Sequence, residues 1–140
     1  MNLFVGGIFK ESSSTLDTIR SGVNGNVYLR TIDRKDNHEL KLESEALANA
    51  DFELYVLMPG MDGFELVIEV VNASNKRPAK TGYLFIESEE SKEFTSHQIK
   101  SLNAIGKMID KNGGKWFSSL DAVVEYLNAA QDLAVKGQTA

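Results

Sequence analysis

The chain has 140 residues, a length that suits one domain whose core buries about two thirds of the unfolded surface. Fifteen basic against twenty acidic residues give a net charge of −5, which argues against nucleic acid as a partner. Zero cysteines exclude disulfides, thiolate metal sites and a cysteine nucleophile; no apolar run nears the roughly 20 residues of a membrane span, and MNLFVGGIFKE lacks signal-peptide features, so a cytoplasmic protein is expected.

Leu3 to Val5 starts the first strand, which Gly6-Gly7 ends as a tight turn or as a ligand-approach site. Ser14 with Asp17 reads as a capping box, followed by the apolar stripe Leu16, Ile19 and Val23 and a stop at Asn24-Gly25. Val27 to Ile32 is the second strand. Asp36 or Asn37 caps a helix carrying Leu40, Leu47 and Ala50. Leu54 to Leu57 is the buried central strand, Phe64 to Ala73 the helix after it, and Gly82 to Ile86 the fourth strand. Glu87 to Glu93 reads as a solvated acidic loop. Ile99, Leu102, Ile105 and Ile109 mark a long helix stopped by Asn112-Gly113-Gly114, and Trp116-Phe117 is a short fifth strand. Ser118 with Asp121 caps the last helix, whose apolar side is Leu120, Val123, Val124 and Leu127. Alternating strands and helices give an α/β fold: a three-layer, five-stranded parallel sheet, flavodoxin-like in outline. It forms one domain over residues 1–133, with a frayed tail over 134–140.

Ligands of open α/β sheets bind beyond the carboxyl ends of the strands, where Gly6 to Ser14, Asp33 to Asn37 and Met58 to Glu69 should meet. Gly6-Gly7 belongs to neither a dinucleotide fingerprint nor a P-loop, and nothing calls for a cofactor or metal. Glu69 lies in the apolar run LVIEVV, where a carboxylate has a raised pKa unless something pairs with it. The competing reading is a solvated stripe of Asp62, Glu65 and Glu69, with Phe64, Val67, Ile68 and Val71 facing the core. Tyr55 reads as core, His38 and His97 as surface, and Lys76 and Arg77 as solubilising residues or an oligomer contact.

MPGMDGFEL is similar to the loop after the phosphorylated strand of a receiver domain, but Tyr55 stands where that chemistry needs an aspartate, and Val5 to Ile8 lack the acidic pair. The longer stretch LYVLMPGMDGFELVIEVVNASNKRPAKT resembles the nucleoside 2-deoxyribosyltransferase-like family, as does HQIKSLNAIGKMIDKNGGKWFSSLDAVVEYLN. The resemblance runs from Asp51 onward. It implies that Glu69 is the nucleophile in double displacement at C1′ of a 2′-deoxynucleoside or its monophosphate, by transfer or hydrolysis. Asp62 is then the nearest proton donor to the leaving base, or else the N-cap of its helix. Gly6, Gly7, Asp33, Asp36, Met58 and Gly63 would line the substrate, and a homo-oligomer would complete the pocket. The alternative is a non-catalytic nucleotide-binding or regulatory module, in which Leu66 or Ile68 fills the sugar pocket.

Overall fold

The computed structural model describes residues 1–9, 13–31, 36–60 and 64–139. In chain order the elements are β1 (Asn2–Phe9), α1 (Ser14–Gly22), β2 (Asn26–Thr31), α2 (Asn37–Ala48), β3 (Phe52–Leu57), α3 (Phe64–Lys76), β4 (Thr81–Phe85), β5 (Ser88–Glu89), β6 (Lys92–Glu93), α4 (Ser96–Lys111), β7 (Lys115–Trp116) and α5 (Leu120–Thr139). Five strands form one all-parallel sheet in the order β2-β1-β3-β4-β7, and β5 and β6 make a separate antiparallel hairpin. That order is 2-1-3-4-5 for the parallel strands, compatible with a three-layer flavodoxin-like fold.

Alternation along the strands divides two cores. Leu3, Val5, Leu54 and Val56 pack with Leu16, Ile19, Val123 and Leu127 of α1 and α5. Tyr55, Leu57 and Tyr83 point the other way, onto Leu66 and Val70 of α3 and Leu102 and Ile109 of α4. Every residue of β3 is buried, as a central parallel strand covered on both faces requires. Among the described residues, no helix is long and apolar enough to cross a membrane.

Several local expectations are corrected. β1 does not stop at Gly6-Gly7 but runs on to Phe9, with Gly6 opposite Tyr55. The Ser14–Asp17 capping box does not form. Ser13 takes the N-cap position of α1 and turns its hydroxyl to Glu89 Oε1, at 2.9 Å, instead of to the helix. Thr15 donates to the same oxygen at 3.1 Å, so the acidic segment after β4 is largely exposed, as expected, but forms a hairpin tied to α1 through Glu89. At α5 the cap falls one residue later than expected, with Ser119 Oγ accepting from the Ala122 amide at 3.1 Å. The helix continues to Thr139. Thr95 and Gln98 form a reciprocal capping box at α4.

Two buried phenols give the fold a defined alkaline limit. Burial, then the adjacent Glu53 carboxylate, pushes the Tyr55 hydroxyl above its ordinary range. Burial alone does the same to Tyr83, whose hydroxyl donates to the Leu102 carbonyl at 3.0 Å. A raised folded-state value means that the protonated form is favoured on folding. The stabilisation is complete below the ordinary value of 10.0 and is lost as pH rises through the folded-state values. In an alkaline titration, Tyr55 and Tyr83 should gain phenolate absorbance only as circular dichroism reports unfolding. All four tyrosines ionising together in a folded protein would contradict this.

Candidate functional site

The sheet reverses direction of winding between β1 and β3, and α3 departs from the carboxyl end of β3 at that point. α3 is rotated from the expected orientation. Its buried stripe is Leu66, Val70, Ala73 and Ser74, whereas Phe64 and Ile68, expected in the core, are 87% and 69% exposed. The reason is the sheet beneath it: Tyr55, Leu57 and Tyr83 form the surface on which Leu66 and Val70 pack. At 100° per residue, Glu69 lies within one step of Leu66 and Ala73 and so flanks the buried stripe, off the solvated face. Its side chain retains 26% exposure.

Glu69 pairs with Arg30. Its Nη1 donates to Glu69 Oε2, and its Nε lies 2.7 Å from Oε1 of Glu43 on α2. That second contact is an ion pair without hydrogen-bond alignment, since the Nε proton has no aligned acceptor. The guanidinium lies over the Phe4 ring, 5.2 Å from its centroid, and Tyr28 stacks with the same ring at 5.8 Å. Burial opposes the charge on Arg30, but its bond to Glu69 and the charges of Glu69 and Glu43 outweigh it and hold the pKa above the ordinary value. The cluster Glu43–Arg30–Glu69 therefore joins α2, the edge strand β2 and α3 with two carboxylates on one cation.

Arg30 and Glu43 escaped the sequence reading. A signal existed in β2, where Arg30 shares the alternation of Tyr28 and so faces inward, and an inward charge needs a carboxylate. A second ion pair also replaces an expectation. Arg77 is not a solubilising residue: its Nε and Nη2 donate to Glu53 Oε2 and Oε1 at 2.6 and 3.0 Å, and Tyr55 donates to Oε1 at 2.9 Å.

The other candidates are distributed unevenly. Gly6 and Gly7 are buried within β1, and a Cβ on Gly6 would stand 2.7 Å from the Tyr55 ring and 3.5 Å from Leu66. The close approach at Gly6 is made by core side chains. Met58 is buried at the end of β3 in the core shared with α1 and α5. Asp36 is exposed and caps α2, accepting from the Glu39 amide at 2.8 Å. Asp33, Asp62 and Gly63 lie outside the described residues. Among the described residues, no group of three His, Cys, Asp or Glu side chains could hold a metal ion.

A cavity of about 880 Å³ opens at the carboxyl ends of β4 and β7, between the first turns of α1 and α5 and the hairpin. Thr15, Thr18, Glu87, Glu89, Trp116 and Asp121 are among its walls, and none of its described lining residues is a sequence-predicted site residue. Among the described residues, this cavity and the Glu69 cluster are separate features, and no lysine, arginine or histidine is among the cavity's described walls. No protein-family model and no curated protein matches the chain.

Proposed function

We propose that the protein carries out N-glycosidic bond chemistry on 2′-deoxynucleosides or their 5′-monophosphates, as a transferase or hydrolase of the nucleoside 2-deoxyribosyltransferase-like kind. The observation that carries this reading is the orientation of Glu69, turned toward the sheet at the switch point and bonded by Arg30 through Oε2. Oε1 is the atom that would attack. It forms an ester bond to C1′ as the C1′–N bond breaks, and the bonding pair leaves with the base, which takes up a proton from Asp62 or water. An acceptor base or water then attacks C1′, the ester C–O bond breaks, the acceptor loses its proton and the carboxylate returns, with net retention. No cofactor is required, and the reading has the enzyme work in the cytoplasm. The test is incubation with a panel of deoxynucleosides and monophosphates, with and without a second base, following free base and exchanged nucleoside by chromatography. Absence of turnover across the panel by folded protein would end this reading.

A homo-oligomer belongs to the same proposal. Phe64 and Ile68 stand one turn apart on the outer face of α3, and Leu40 and Leu42 of α2 are each 44% exposed. Phe64→Glu with Ile68→Glu should convert a dimer or larger assembly to a monomer in light scattering after size exclusion. A wild-type monomer at the same concentration would refute the assembly.

One arrangement favours a second reading, a non-catalytic binding module. Tyr55 and Leu66 close over Gly6, while the cavity between α1 and α5 stays open. Thermal stabilisation by nucleotides without turnover would select this reading over the first.

A further inference from the structure

We infer that Arg30 and Glu43 are positioning residues for Glu69, with Glu43 setting the aim of the guanidinium and the guanidinium setting the aim of the carboxylate. The inference rests on Glu69 being the nucleophile. A guanidinium is a planar fork with donors in fixed directions, so fixing its plane and one edge fixes the rest. Here the Phe4 ring, 5.2 Å away, constrains the plane, and Glu43 holds the Nε edge at 2.7 Å by charge, without an aligned hydrogen bond. Nη1 is thereby turned to Glu69 Oε2, to which it donates.

The surroundings explain why this contact sets geometry. The three side chains are 12%, 19% and 26% exposed for Arg30, Glu43 and Glu69, so water competes only partly for the bonds. α2 contributes no fully buried residue, and Glu43 ties it by charge to Arg30 of β2. Among the described residues, Tyr28 from β2 and Tyr55 from β3 also face the cluster, and Tyr55 gives its own hydroxyl to Glu53.

The experiment compares wild type, R30M, R30K and E43Q in single-turnover and steady-state glycosyl exchange, together with crystal structures of each variant. Misplacing a reacting group by about 1 Å costs about 100-fold in rate. R30M should lower kcat by about that factor with KM within about threefold, because Arg30 orients the nucleophile without touching substrate. R30K, which keeps the charge and loses the fork, should recover part of the loss, and E43Q should lower kcat by about 10-fold with a smaller displacement of the Glu69 carboxylate than in R30M. In R30M the crystal structure should show the Glu69 carboxylate displaced. Wild-type kcat in folded R30K and E43Q, or an unmoved carboxylate in R30M, would overturn the inference, and the first two variants serve if R30M does not fold. An inactive wild type would remove the functional reading, while the position of Glu69 in R30M would still decide whether Arg30 orients it.

Discussion

Glu69→Gln is expected to abolish glycosyl exchange, lowering kcat by at least about 10⁴-fold, the scale on which removal of an acting nucleophile is felt. The amide is nearly isosteric, and its oxygen can still accept from Arg30 Nη1, so folding is left with Glu43 as the charged partner of that guanidinium. The variant should therefore melt within a few degrees of wild type, which separates lost chemistry from lost structure. In wild type, a slow substrate quenched in acid should leave one deoxyribosyl group esterified to Glu69, visible by peptide mass mapping; the Gln variant should show none. If the variant retains rate while binding substrate normally, the carboxylate is an electrostatic or structural group and the double-displacement scheme fails. A loss of rate together with a collapse in melting temperature would point to a structural ion pair instead.

The layer order was legible because alternation and periodicity are short-range properties of the chain. β3 reads as central from an unbroken apolar run, and all six of its residues are buried. The rotation of α3 was not legible. Phe64, Val67, Ile68 and Val71 form as good an apolar stripe as Leu66, Val70 and Ala73, and the choice between them is made by Tyr55 and Leu57 on another element. The same holds for Gly6, read as a tight turn or a ligand approach, where a Cβ would stand against the Tyr55 ring. Asp36 could be read locally, since a cap bonds three residues away, and it does cap α2. Arg30 with Glu69 and Arg77 with Glu53 span 39 and 24 residues, and no spacing rule reaches that far. The candidate nucleophile could thus be named from the sequence, whereas the cation that holds it could be found only once β2 and α3 were packed together.

The second large effect concerns stability. Glu53 is 1% exposed, and both of its oxygens are engaged, by Arg77 and by the Tyr55 hydroxyl. Removing the guanidinium in Arg77→Met would leave a carboxylate in the interior with one neutral donor, a situation that costs about 3 kcal/mol, at the lower end for a broken buried pair because Arg77 itself is 40% exposed. Glu53→Gln with Arg77→Met removes both charges and should recover most of the loss, because the penalty belongs to the uncompensated charge and not to the absence of the pair. Tyr55→Phe should cost about 1 kcal/mol, the worth of a single buried hydrogen bond, since the arginine still holds both oxygens. Urea unfolding of the four proteins reads these differences directly. Equal losses in Arg77→Met and the double variant would show that packing of the arginine stem carries the effect, and near-neutral Arg77→Met would mean that water reaches Glu53. The ion pair also sits at the amino end of the sheet, where β3 begins, while Glu69 lies toward the carboxyl end on α3. Tyr55 connects them, with its hydroxyl on Glu53 and its ring against Gly6, so Arg77→Met should cost stability first and turnover only as far as Tyr55 shifts.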